Sequence, residues 1–284
     1  MGWAGADLRA PAALGHPRGC SAALPPVPPQ EITAAPAAPA GPGLVLVGVG
    51  PGDPELLTVA AVRAIAAADL VAYPVAREGG DGMAAAIAAP WIAPTQRRLP
   101  LLFPMTEAVE PRRLAWRSAA DRLAAAVAEG QAVVLLCEGD VSLFATSSYV
   151  LLALRRLHPA CPVRLVPGIS AVAAAAAAGS WPLALQQEAL LIRPTPDQPA
   201  ALEALLEQAA GAGMVLALLK LGARWGWVRP LLERRGLLEQ ALFARRVGWP
   251  DQRVAAAASV PGEEAPYFAL LLIRQGWPAV LPDD

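Results

Sequence analysis

The chain has 284 residues with 23 basic and 24 acidic side chains, and its net charge of −1 offers no bulk attraction to a nucleic-acid backbone or an anionic membrane. Hydrophobic residues make up 55%, but the longest unbroken apolar run is the eight residues Ala171 to Ala178, far short of the roughly 18 to 20 that span a bilayer. Much of that apolar count is alanine, which accompanies heavy proline and arginine use and a single lysine, Lys220, as GC-rich coding would produce.

Taken in chain order, residues 1 to 42 hold nine of the thirty prolines and show neither a periodic apolar face nor a strand pattern. A disordered Pro/Ala-rich extension is expected there, lacking the apolar core of a signal peptide. From Leu44 onward, short apolar runs alternate with amphipathic stretches, which predicts a mainly parallel α/β sheet with helical crossovers. The expected strands are Leu44 to Val49, Leu70 to Tyr73, Arg98 to Leu102, Ala132 to Cys137 and Val163 to Val166. Helices are expected over Pro54 to Ala67, Gly82 to Ala89, Glu107 to Glu129 and Thr146 to Leu157. After Trp181-Pro182 a second set follows: strands near Ala189 to Ile192, Met214 to Leu219, Ala241 to Ala244, Arg253 to Ala257 and Tyr267 to Arg274, with helices at Pro199 to Ala210 and Trp227 to Arg235. The closing strands lie too close in sequence for helical crossovers, so antiparallel pairing is expected among them. The pattern is that of two α/β domains, residues 43–180 and 181–284, after the extension.

Three loops at strand ends share one design. In GVGPGDPELLT, Gly48 to Thr58, the glycines permit close backbone approach, and Asp53-Pro54 has the form of an N-cap followed by a first helical residue. The dinucleotide fingerprint would need glycine where Asp53 stands, and a P-loop would need Gly-Lys-Ser/Thr, so both nucleotide readings fail on residue identity. CEGDVSLFATSSY, Cys137 to Tyr149, and VPGISAVAAA, Val166 to Ala175, repeat the strand, turn and helix start. Asp140 is either a turn former or an acceptor aimed at a ligand. Loops of this kind on one edge of a parallel sheet form a small-molecule site. Cys20, Cys137 and Cys161 form no C-x-x-C pair, and His16 and His158 stand apart from acidic clusters, so a reducing cytosol without a structural metal site is the expected setting.

GVGPGDPELLT, ADLVAYP, EGDVSLFATSSY and VPGIS, in this order and spacing, resemble the tetrapyrrole methylases, which use S-adenosylmethionine. The resemblance runs from about Leu44 to Gln275. Within the family, AYPVAR, LLFPMT, LCEGD, LKLGA and PYFALLLIR are most similar to the branch that methylates C20 of precorrin-2 or cobalt-precorrin-2 in cobalamin synthesis. The resemblance implies two α/β domains with the methyl donor folded between them, no protein-bound metal and a cytoplasmic homodimer. It places Pro51, Glu138, Gly139, Asp140, Leu143, Ser170 and Ala171 along the donor, with Leu221 and Ala257 at looser matches. Tyr73, Arg77, Phe103, Met105 and Thr106 are implied on the acceptor side, and the catalytic residue is left unassigned.

Two departures stand out. Val141 replaces the proline that usually follows Gly-Asp, and Pro74 occupies the place of the aspartate found in uroporphyrinogen methylases, which argues against that acceptor. Because the acceptor carries many carboxylates, Arg77, Arg97, Arg98, Arg112 and Arg113 are candidate partners for it. The alternatives are methylation of another ring carbon and, more distantly, a nucleotide-binding oxidoreductase. Relatives acting on rRNA ribose are disfavoured by the neutral charge.

Overall fold

The computed structural model describes residues 41–106, 108–263 and 267–278. The extension expected over residues 1–42 therefore lies, up to residue 40, outside the described residues. The first half forms strands β1 (Gly43–Gly48), β2 (Leu70–Val75), β3 (Arg97–Leu102), β4 (Ala132–Cys137) and β5 (Val163–Val166). They make one wholly parallel sheet in the order β3-β2-β4-β1-β5. Its helices are α1 (Val59–Ala66), α2 (Met83–Ala88), α3 (Val109–Ala128) and α4 (Thr146–Leu157).

Alternation along β1 shows why the runs are apolar throughout. Leu44 and Leu46 pack with α3 and α4, while Val45 and Val47 pack with α1 and α2, so both faces are buried. The helix expected over Pro54 to Ala67 is broken in two. Asp53 caps a single 3₁₀ turn, Pro54–Leu56, through its carboxylate and the Glu55 N–H at 2.8 Å. Thr58 then takes the Ala61 N–H at 3.1 Å and starts α1 afresh.

The second half contributes α5 (Ala171–Ala178), β6 (Ala189–Pro194), α6 (Pro199–Gly211), β7 (Met214–Leu219), α7 (Trp225–Arg234), β8 (Ala241–Arg245), β9 (Arg253–Ala256) and β10 (Ala269–Ile273). Its sheet runs β6-β7-β10-β8-β9. Only β6 and β7 pair in parallel; β10 runs antiparallel to both β7 and β8, and β9 antiparallel to β8. Leu216 and Leu218 of β7 face α6 and α7, whereas Ala217 faces α5 together with Leu270 and Leu272 of β10. The alanine helix α5 thus covers the second sheet, and its small side chains admit a close approach. Gly179 at its end lies so near Leu242 that a Cβ there would meet the leucine at 2.5 Å.

Arg274 follows β10. It is 1% exposed, chelates Glu188 through two bonds of 2.8 Å, and is flanked by the Trp181 and Trp277 rings at 4.7 and 4.0 Å. This clamp ties the end of the sheet to the segment that enters it.

Candidate active site

In the first sheet β4, β1 and β5 are neighbours, and all strands point the same way, so the loops after residues 48, 137 and 166 emerge side by side. Gly50 and Gly139 exchange backbone hydrogen bonds of 2.8 and 3.2 Å between the first two loops. The third is bound by Asp140, whose Oδ2 accepts from the Gly168 N–H at 2.9 Å while Oδ1 accepts from the N–H and hydroxyl of Ser142. A Cβ on Gly168 would stand 2.2 Å from the Gly139 carbonyl and 2.7 Å from Gly48, and one on Gly48 would meet Gly168 at 2.6 Å. Only glycine permits that approach, and it leaves a backbone ledge on which a ligand can lie.

The second sheet meets this ledge. At one of its edges the end of β7, the end of β8 and the start of β10 come together. The loop after β8 turns back at Gly248 (φ +83) so that Trp249 reaches the first half, donating from its indole N–H to the Pro51 carbonyl at 2.9 Å. Gly52 is required beneath it, since a Cβ there would meet the indole at 2.5 Å.

Between the two edges lies a cavity of about 190 Å³. Its wall includes Pro51, Glu138, Gly139, Asp140, Leu143, Ser170 and Ala171 from the three loops, so seven of the residues expected along a methyl donor are brought together. Leu221 and Ala257 are not on that wall; both are fully buried in the core between the second sheet and α6 and α7. The five residues expected on the acceptor side are placed elsewhere. The Tyr73 ring packs over Gly82, immediately before the wall residue Met83. Arg77 is exposed and Phe103 packs on the α3 and α4 side of the sheet. Met105 is 73% exposed, and the Thr106 hydroxyl accepts from the Ala108 N–H at 3.2 Å. Arg97 and Arg98 lie exposed on β3, and Arg113 pairs with Glu110 at 3.0 Å. None of these arginines lines the cavity.

The residues missed from sequence come mainly from the second half: Lys220, Arg246, Trp249, Tyr267 and Phe268, with Phe144 from the first. Three of them, Phe144 (φ 53), Lys220 (φ 56) and Arg246 (φ 44), hold left-handed backbone conformations that side chains rarely adopt. Strain of this kind gathers where surroundings over-determine a functional geometry. Arg246 is fixed by Asp251 at 2.7 Å and lies over the Trp249 ring at 4.8 Å, which presents one cation beside the aromatic wall. Its hydrogen bond, outweighing the effect of burial, holds the Asp251 carboxyl below the usual range.

The titratable groups here diverge. For Asp140 burial works upward, but the hydrogen bonds from Ser142 and Gly168 outweigh it and hold the carboxyl below its ordinary value. The Glu138 carbonyl accepts from the Cys137 thiol at 3.4 Å, but its carboxylate accepts no hydrogen bond and forms no ion pair among the described residues, and burial pushes the carboxyl up to about 6. Tyr267 is raised by burial and then by the negative charge of Glu138, with Arg224 opposing.

The match to known proteins agrees with this geometry. Residues 43–259 fit the family model of the Tetrapyrrole (Corrin/Porphyrin) Methylases. The chain belongs to that family. This methylase is 33% identical over 242 residues to the precorrin-2 C(20)-methyltransferase of Sinorhizobium sp, covering 82% of this chain and 95% of the relative. It is 30% identical to the cobalt-precorrin-2 C(20)-methyltransferase of Salmonella typhimurium, covering 82% and 97%. The uroporphyrin-III C-methyl transferase of Thermus thermophilus, solved with S-adenyl homocysteine, superposes with a TM-score of 0.53 at 26% identity, covering 82% of this chain and 97% of that one.

The cavity suits S-adenosylmethionine by its own chemistry. Flat aromatic and apolar side chains accept an adenine ring, the glycine ledge admits a ligand backbone closely, and Glu138, Lys220 and Arg246 offer both signs of charge to an amino-acid zwitterion.

Proposed function

We propose that this methylase transfers the methyl group of S-adenosylmethionine to C20 of precorrin-2 or of cobalt-precorrin-2 in cobalamin synthesis. The observation that carries the reading is the convergence of Pro51, Glu138 to Asp140, Leu143, Ser170 and Ala171 on one cavity, in a chain whose full-length relatives bear that activity in their names. When bound, the sulfonium supplies an already activated electrophile. The protein's task is then to align the two reactants and exclude water, which converts an encounter in solution into an in-line displacement within one cavity.

The chain's own residues divide that task. The glycine ledge and the pinned loops hold the donor's place rigidly, because Asp140 and the Gly50–Gly139 bridge leave the loops little freedom. Lys220 and Arg246 at the wall supply positive charge for a polycarboxylate ring, the role first expected of Arg77, Arg97, Arg98, Arg112 and Arg113. The aromatic side chains of Trp249, Tyr267 and Phe268 exclude water around the reacting carbon. Any cobalt belongs to the acceptor and not to the protein.

The reading includes a cytoplasmic homodimer in which residues 43–180 and 181–284 form the two domains, with α5 reaching across the boundary onto the second sheet; light scattering of the purified chain tests the dimer. The activity is tested by incubating the chain with methyl-labelled donor and precorrin-2, with and without cobalt, and locating the added methyl by mass and carbon-13 spectra. A methyl on C20 is the expected result. Methylation at another ring carbon, or none with either acceptor, would overturn it.

A further inference from the structure

When C20 attacks the donor methyl, the carbon's electron pair forms the new C–C bond and the S–CH₃ bonding pair stays on sulfur, giving the neutral thioether. C20 then carries both a methyl and its original hydrogen, and the macrocycle carries one positive charge. Loss of that hydrogen as a proton returns the C–H electron pair to the ring and restores conjugation. A group on the cavity wall must take the proton, and its basicity should match the working pH.

The wall offers few groups. Asp140 has both carboxylate oxygens engaged, by Ser142 on one side and the Gly168 N–H on the other. The Ser170 hydroxyl accepts from the Ala173 N–H at 3.2 Å as the cap of α5, and Lys220 and Arg246 are cations. Tyr267 keeps its proton, since burial and the nearby Glu138 charge raise the phenol. Glu138 alone combines a place on the wall with a carboxylate that no hydrogen bond or ion pair engages among the described residues. Its backbone is held between Cys137, at the end of β4, and Gly139, which pairs with Gly50, so the side chain is presented from a fixed edge.

Resting on the C20 reading above, we propose that Glu138 is the proton acceptor of the reaction. Its carboxylate takes the C20 proton, becomes the neutral acid, and returns the proton to solvent as the product leaves. The groups around it are Cys137 and Asp140 on its own segment, Tyr267 at the approach to β10, and Lys220 and Arg246 on the opposite wall. Burial sets the Glu138 carboxyl at about 6, so it is mostly ionised at neutral pH and protonated below its pKa. Activity then falls on the acid side as pH passes through that value.

The test uses Glu138→Gln and Glu138→Asp in the full chain. S-adenosylhomocysteine binding, measured by calorimetry, should weaken by no more than about tenfold in Glu138→Gln, the loss of one charged contact to the ligand's ammonium, with the fold and the rest of the donor site intact. Methyl transfer should slow by roughly 10²- to 10⁴-fold, the usual contribution of a positioned base. The acid limb of the pH profile should vanish, and Glu138→Asp should recover part of the rate. Independently of turnover, infrared spectra should show one carboxylic-acid band titrating near the expected pKa in the parent and missing from Glu138→Gln. An unslowed Glu138→Gln, an absent band, or a loss of S-adenosylhomocysteine affinity matching the loss of rate would overturn the proposal. A parent chain that makes no C20-methylated product overturns the function and this role with it. Product from the parent with an unslowed variant overturns the role alone.

Discussion

Gly168→Ala isolates the close packing of the three loops. Gly168 is not among the positive-φ glycines, so alanine is acceptable to the backbone there and the effect comes from contact alone. The added Cβ would lie 2.2 Å from the Gly139 carbonyl oxygen and 2.7 Å from the Gly48 carbonyl carbon, whereas ordinary contact begins at 3.4 Å. The neighbours are backbone, so a loop has to shift by roughly 1 Å, a strain at the upper end of the ~1–3 kcal/mol that overpacking costs. For a chain of this size that lowers Tm by about 6 to 12 °C at ~2–4 °C per kcal/mol. Because the displaced carbonyl belongs to the ledge, S-adenosylhomocysteine affinity should fall at least about tenfold, which is 1.4 kcal/mol. Differential scanning fluorimetry and calorimetry read the two effects. Gly211→Ala serves as control: a Cβ there meets nothing within 4 Å, and helix propensity favours alanine by up to about 1 kcal/mol. A Gly168→Ala chain that melts within about 1 °C of the parent and binds S-adenosylhomocysteine equally well would refute the packing argument.

Lys220→Gly should relieve roughly 1–2 kcal/mol of left-handed strain against an entropy cost of roughly 0.5–1 kcal/mol, so Tm holds or rises while KM for the polycarboxylate acceptor increases. Arg274→Ala should cost about 3–5 kcal/mol in urea denaturation, since it strands the Glu188 carboxylate. The same variant tests pH dependence. Hydrogen bonds from Arg274 hold Glu188 below its ordinary 4.5, so the pair's contribution is present above that value and is lost as pH falls through the folded pKa. The parent should therefore lose stability toward low pH more steeply than Arg274→Ala. Trp249→Phe removes the bond to the Pro51 carbonyl, and should cost about 1 kcal/mol and loosen S-adenosylhomocysteine binding, measured by the same calorimetry.

The elements with strong local signals were readable in the sequence. Residues 132–137, 146–157 and 163–166 emerge as β4, α4 and β5 with the expected bounds, because apolar runs and the residues flanking them mark their ends. Antiparallel pairing in the second half followed from the short connections, but the insertion of β10 between β7 and β8 did not, since strand order is a property of packing and not of spacing. The break at Thr58 passed unseen because a helix with two caps looks continuous in periodicity. At the cavity, glycine-bearing loops announced their residues, whereas Lys220, Arg246 and Phe144 adopt positive φ under tertiary constraint and carry no local mark. Arginine was expected to supply the charge from positions 77, 97, 98, 112 and 113. None of those positions lines the cavity, whose basic wall residues are the chain's one lysine, just after β7, and Arg246, just after β8.

The central position of β10 bears on how the protein comes to be made. Until residues 269–273 are available, the second sheet can exist only as the two pairs β6-β7 and β8-β9, each with an open inner edge. Those edges carry Leu216, Leu218, Leu242 and Phe243, all buried once β10 is in place. A nascent chain therefore carries first the β6-β7 ribbon and then the β8-β9 ribbon half-paired until β10 is made, the condition that invites edge-to-edge association. Arrival of one five-residue strand closes both ribbons at once, and the same event delivers Ala269 and Leu270 to the cavity wall. Completion of the fold and completion of the site are a single step.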